Sequence, residues 1–199
     1  NIESLSLDGL AAAIDGTGNG IANIMYGNES ANRLFGLDGN DTLTGFGGAD
    51  TLSGGSGNDT LTGGTGVDRL GGGTGNDLYI DVLGDVVTEA AGEGVDSVES
   101  ATNYTLAANV EILTLTGTSG TRGTGNDIAN TINGNEGANV LAGAGGNDIL
   151  NGGIGADTLI GGASNDQLVG GLGVDTAEYT GSAAVTVNLQ TLTASGGDA

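Results

Sequence analysis

The sequence predicts an all-β chain wound as a parallel β-helix solenoid, about 18 residues to the coil, and three observations predict it. A phrase of nine residues recurs along most of the 199-residue chain. Every copy opens with turn residues, and all but the last carry a large apolar residue near the end. Bulk for any other kind of core is scarce, because 43 residues are glycine, aromatics make up 3%, and cysteine, proline, histidine and tryptophan are absent.

Read in nines from Gly18, the first block is GNGIANIMY, GNESANRLF, GLDGNDTLT, GFGGADTLS, GGSGNDTLT, GGTGVDRLG and GGTGNDLYI, residues 18–80. The second, residues 125–178, is GNDIANTIN, GNEGANVLA, GAGGNDILN, GGIGADTLI, GGASNDQLV and GGLGVDTAE. The first six residues of each unit favour turns, and glycine there supplies the positive φ that other residues adopt at a cost. The last three form a strand about 10 Å long. Its middle residue is expected to point inward: Met25, Leu34, Leu43, Leu52, Leu61, Leu70 and Tyr79, then Ile132, Leu141, Leu150, Leu159 and Leu168. Thr42, Thr51 and Thr60 point outward. A three-residue strand is not stable alone, so two turn-strand units close a coil, and stacked coils bury each other's apolar ladder.

Between the blocks, residues 81–124 lose the nine-residue rule and alternate longer β-branched runs, which predicts a wider solenoid connector. Residues 1–17 read as the end of a preceding long repeat unit, since NIESLSLDG at the start parallels NVEILTLTG at 109–117. Residues 179–199 read as a C-terminal β segment that stops without a cap, as if excised from a longer polypeptide.

Charge narrows the function. Twenty-five acidic residues face only Arg33, Arg69 and Arg122, for a net charge of −22. Nucleic acid and anionic membrane surfaces have the wrong sign for such a chain. No apolar run approaches the roughly 20 residues that span a bilayer. A compact state this acidic needs a cation. Aspartates recur at the sixth position from the third unit of each block on, so that Asp41, Asp59 and Asp77 stack on one edge and Asp50 and Asp68 on the other, about 4.8 Å apart. Two carboxylates that close repel by about 0.9 kcal/mol in water and several times more in a partly buried site. Calcium takes six to eight oxygens at 2.3–2.6 Å, so ligands on opposite sides of one ion are spaced much as the coils are. Without histidine or cysteine, zinc and copper are poorly served, and magnesium demands a smaller octahedron. Two alternatives stay open at this point: aspartate also favours turns without any ion, and Asn23, Asn32, Asn130 and Asn139 stand at the sixth position of the first two units of each block, where an amide can bond along the stack unaided.

The pattern GGxGxDxUx, iterated in phase, resembles the nonapeptide repeats of the RTX (repeats-in-toxin) calcium-binding family over both blocks. The resemblance implies a parallel β-roll in which one turn supplies the carbonyls of its second and fourth positions and its aspartate. The turn one coil on supplies those of its first and third positions and its own aspartate. Carried over, five complete calcium sites follow. In the first block they are Leu37, Gly39 and Asp41 with Gly54, Ser56 and Asp59; Phe46, Gly48 and Asp50 with Gly63, Thr65 and Asp68; and Gly55, Gly57 and Asp59 with Gly72, Thr74 and Asp77. In the second they are Ala144, Gly146 and Asp148 with Gly161, Ala163 and Asp166, and Gly153, Gly155 and Asp157 with Gly170, Leu172 and Asp175. Up to nine levels would bind if the mixed Asn/Asp levels took part. Leu37, Phe46, Ala144 and Ser164 replace motif glycines, and Val86 falls where the next aspartate would be. The resemblance further implies a module of a larger secreted or surface-exposed bacterial protein, exported by a type I apparatus and folding where calcium is abundant. Two other readings compete. An enzyme of the polysaccharide-active kind would draw its acid and base from Glu89, Glu93, Asp96, Glu99, Tyr104 and Glu111; the sequence favours no catalysis in this chain, and a non-catalytic module of such an enzyme, a lipase or a protease instead. An adhesive or surface-layer array would want a regular outward ladder, and the third-position series Gly20, Asp38, Ser56 and Thr74 forms none.

Overall fold

A computed structural model describes residues 3–7, 12–178 and 184–188. Most of the C-terminal segment expected at 179–199 therefore lies outside the described residues. No helix occurs among them. An eleven-stranded parallel sheet runs the length of the stack, and two five-stranded parallel sheets face it. The first of these runs from Gly16–Thr17 to Val86–Val87 and the second from Tyr104–Thr105 to Thr176–Glu178.

Within the blocks the coil is 18 residues. Leu43 pairs with Leu61 and Leu150 with Leu168 in the long sheet. Leu52 pairs with Leu70 and Leu141 with Leu159 in the short ones. Because the sequence period is half the coil, identical positions stack on identical positions. All twelve of the expected inward residues are buried, while Thr42 and Thr44 on either side of Leu43 face out.

The glycines have separate duties. From the third unit of each block on, second and fourth positions adopt positive φ, as at Gly55 (118°) and Gly57 (129°). The four substituted positions do the same at a cost: Leu37 sits at 84°, Phe46 at 75°, Ala144 at 77° and Ser164 at 85°. Left-handed backbone disfavours an L-residue by roughly 1–2 kcal/mol.

The connector keeps the stack going with coils of unequal length. Leu78 pairs with Ser97, Ser97 with Ile112, and Ile112 with Thr131. Val82, Val87, Val98, Leu106, Val110, Leu113 and Leu115 continue the buried column. The facing side is interrupted here, since the two short sheets are separate.

Two substitutions test this packing. Leu61→Ala opens a void between coils and should cost about 2–5 kcal/mol, whereas the outward Thr60→Ala should change stability by less than about 0.5 kcal/mol, both read by denaturant unfolding in calcium. Leu37→Gly keeps the backbone carbonyl, removes a largely exposed side chain and relieves the left-handed strain, so it should stabilise by up to about 1 kcal/mol.

Candidate metal centre

The sixth-position side chain is held by the coil before it. One oxygen of each aspartate accepts the backbone N–H of the residue one coil earlier: Asp41 N–H donates to Asp59 Oδ1 at 2.7 Å, Asp59 to Asp77 at 2.7 Å and Asp50 to Asp68 at 2.7 Å. In the second block Asp148 donates to Asp166 and Asp157 to Asp175, both at 3.0 Å. The strand that follows then fixes the rotamer, because its apolar residue two places on is locked in the core.

The other oxygen has no such partner. Oδ2 of Asp41, Asp50, Asp59, Asp68, Asp77, Asp148, Asp157 and Asp166 is buried and accepts no hydrogen bond. A buried acceptor left unmade costs about 1–3 kcal/mol, more when charged. Each of these oxygens leans over the first-position glycine of its own repeat, which has no side chain to obstruct it. A Cβ on Gly36 would strike both Asp41 Oδ2 and the carbonyl of Gly54, so the two oxygens converge there. The same convergence joins Asp50 with Gly63, Asp59 with Gly72, Asp148 with Gly161, and Asp157 with Gly170. Within the two blocks these are the five levels at which both rungs are aspartate, with the first-position carbonyls expected there; Oδ1 of Asn23, Asn32, Asn130 and Asn139 meets the carbonyls of Gly36, Gly45, Gly143 and Gly152 in the same way, so it is the charge and the missing partner that set the aspartate levels apart.

The remaining expected oxygens lie in the turns between coils. Third-position carbonyls of Ser56, Thr74 and Leu172 accept the N–H of Gly39, Gly57 and Gly155 at 2.7–2.8 Å. The second-position carbonyls of Leu37, Phe46, Ala144 and Gly153 crowd the second-position glycine one coil on, and the fourth-position carbonyls of Gly39, Gly48, Gly57 and Gly155 do the same at fourth positions. Ala144 also accepts the N–H of Ala163 at 2.9 Å. A carbonyl has two lone pairs, so one inter-coil bond leaves it able to accept again.

Asparagine rungs differ. Asn32 Oδ1 accepts the N–H of Asn28 at 2.8 Å and its Nδ2 donates to the Ile14 carbonyl at 2.8 Å. Asn130 and Asn139 repeat the arrangement with Asn126 and Val110, and with Asn135 and Thr121. Asn23 likewise accepts from Asn19. The amide thus satisfies both ends of its dipole within the protein, while the carboxylate cannot.

The ladder runs further than the sequence suggested. The rung after Asp68 is filled by Asp85, one residue before Val86, and Asp68 N–H donates to it at 2.9 Å. On the other edge Asp77 N–H donates to Asp96 and Asp96 N–H to Glu111. Asp85 Oδ2 is also buried and without a partner. Two signals could have found Asp96 and Glu111: AGEGVDSVE at 91–99 is a nonapeptide out of phase, and LAANVEILT at 106–114 puts Glu111 at its sixth position and Asn109, at φ 63°, at its fourth. Of the residues considered for acid-base work, Asp96 and Glu111 are therefore rungs, and Glu93 accepts the N–H of Ala90.

Burial pushes these carboxyls up from their ordinary range, to about 6 at Asp50, Asp59, Asp96 and Asp148, with neighbouring carboxylates adding to the rise and the N–H bond opposing it. Asp41, Asp77, Asp85 and Asp157 move the same way for the same first cause. Relative to the unfolded chain, the fold favours the neutral form at these eight aspartates. A carboxyl whose folded pKa lies above its unfolded one stabilises the fold fully below about pH 4 and stops doing so as pH rises through about 6. In chelator, β-structure followed by circular dichroism should therefore increase as the pH falls from 7 to 4. In calcium the dependence reverses, since protons compete with the ion for the same oxygens.

The chemistry on offer is a column of hard, anionic, partner-seeking oxygens with backbone carbonyls beside them and all three arginines exposed. A hard cation of calcium's size fits it, and a soft metal does not. No curated protein sequence matches the chain. The family model for the RTX calcium-binding nonapeptide repeat matches four times, at residues 17–45, 44–79, 123–159 and 143–177. Those matches span more than half the chain and contain every sixth-position aspartate of both blocks, so this chain belongs to the RTX calcium-binding nonapeptide-repeat family.

Proposed function

We propose that the chain is a calcium-dependent structural module of a larger secreted protein, unfolded where calcium is scarce and folded outside the cell. The observation that carries this reading is the column of buried aspartate oxygens without hydrogen-bond partners. Calcium would lie between coils at the five paired levels, from Asp41 with Asp59 to Asp157 with Asp175. It would be held by both carboxylates, the first-position carbonyl beside them and the turn carbonyls above and below. Asn23, Asn32, Asn130 and Asn139 act as caps that start each block without an ion, because their amides are already satisfied.

The charge bookkeeping supports it. Five divalent ions would move the net charge from −22 to −12, and nine would move it to −4. With a dissociation constant near 10⁻⁴–10⁻³ M, usual for extracellular modules, and free calcium tenfold higher, each independent site adds about 1.4 kcal/mol to folding. Five such sites contribute about 7 kcal/mol, which is comparable with the whole stability of an ordinary domain. At cytosolic calcium the same expression gives almost nothing. Export of an unfolded chain by a type I apparatus, followed by folding outside, uses that difference. Catalysis is assigned to no residue of this chain, and any activity of the parent protein, whether adhesive, hydrolytic or lytic, belongs to other domains.

Circular dichroism at constant ionic strength should follow a cooperative gain of β-structure with calcium and none with equal magnesium, which holds its water and prefers shorter bonds. Equal folding by magnesium or by monovalent salt would contradict specific coordination. Asp59 serves the level below it and the level above, while Asp175 serves one. Asp59→Ala should therefore lower bound calcium more than Asp175→Ala in calorimetric titration.

A further inference from the structure

The first block does not end as its repeats would. In the regular coils the atoms crowding a first-position glycine include the carbonyl of the first-position glycine one coil on. At Gly72, the last such glycine of the block, the nearest atoms all belong to Asp77. The carboxylate of Glu89 comes in from the following coil instead, and Gly72 N–H donates to its Oε1 at 3.1 Å. Tyr79 takes the place that leucine holds in most units, fully buried, and its hydroxyl donates to Glu89 while accepting from Gly72 N–H at 2.5 Å. These contacts fix one oxygen of Glu89 and leave the other free.

That free oxygen has nothing to bond. Glu89 is 7% exposed, and its Oε2 is buried without a partner, as is Oδ2 of Asp77. Asp96, 1% exposed, completes the group from the next coil, its Oδ1 held by Asp77 N–H at 2.8 Å. One carboxylate oxygen from each of the three lies within 4.8 Å of the other two. Oxygens around an ion that binds them at 2.3–2.6 Å stand about 3.3–5.2 Å apart, so this spacing admits calcium. The repeat matches cover 44–79 and resume at 123, so Glu89 and Asp96 lie outside them.

We propose that Asp77, Glu89 and Asp96 form a separate divalent-cation site, of calcium's size, that seals the junction between the first repeat block and the connector. Three side-chain carboxylates meet here, where a repeat level has two, so the site carries one more negative charge. Its ion ties the last regular coil to the first irregular one, at the place where the facing sheet is interrupted. Because Asp77 also serves the level with Asp59, the site rests on the calcium reading above.

The test uses the whole chain with Ca²⁺ and, as a luminescent probe of the same size class, Tb³⁺. Native mass spectrometry should count one calcium fewer per chain in Glu89→Gln than in the unsubstituted protein. Tyr79 touches Glu89, so terbium emission excited through tyrosine should fall in Glu89→Gln for loss of the ion. In Tyr79→Phe it should fall for loss of the antenna. If Glu89→Gln does not fold in calcium, Tyr79→Phe decides alone: unchanged emission means that no ion lies beside Tyr79 and overturns the site. An unchanged calcium count in folded Glu89→Gln overturns it too, while leaving the repeat sites standing. Absence of calcium binding by the unsubstituted protein would overturn both.

Discussion

Everything in this structure depends on how one carboxylate oxygen per turn is satisfied. Stacking coils in register places aspartate over aspartate, and the neighbouring backbone N–H meets only half of each carboxylate's demand. The apolar ladder cannot outweigh this by itself, because it is one residue thick on each side. The register that buries leucine against leucine is the register that brings the charges together. A divalent ion between coils removes that conflict, since it converts repulsion along each edge into shared coordination. On the function proposed above, the folding of the core and the filling of the edges would be one event.

Glycine and asparagine follow from the same demand. First-position glycines are small because the aspartate carboxylate lies over them, a steric reason distinct from the positive φ of the second and fourth positions. The switch from asparagine to aspartate after two units has a direct counterpart in hydrogen bonding. Asn32, Asn130 and Asn139 each donate and accept within the protein, so a block begins on rungs whose amides are already paired. From the third unit on, no amide nitrogen is available to fill the second oxygen's place.

Within the blocks, both the core and the edge ladders were legible in the sequence, and the reason is geometric. The nine-residue period is half the coil, so position in the phrase translates directly into position in space, and Leu61 and Asp59 could be placed without coordinates. The left-handed backbone at Leu37, Phe46, Ala144 and Ser164 was legible for the same reason, as four departures from glycine at fixed positions. The connector was not legible, because coils of 17, 19 and 15 residues between rungs put Asp85, Asp96 and Glu111 out of phase with the repeat. Its inward residues still recur two places after each rung, at Val87, Val98 and Leu113. Glu89 could not be placed at all from spacing, since it reaches Asp77 through the fold and not through the period.

The most direct measurement is the anomalous scattering of calcium in a crystal grown with the ion. Peaks are expected in two columns, one on each edge, each lying between Oδ2 atoms of successive aspartate rungs and beside the first-position carbonyl, with no peak against the asparagine amides. A structure at neutral pH with those oxygens bonded to protein donors or water and no peaks along the edges would contradict the dependence of this fold on calcium.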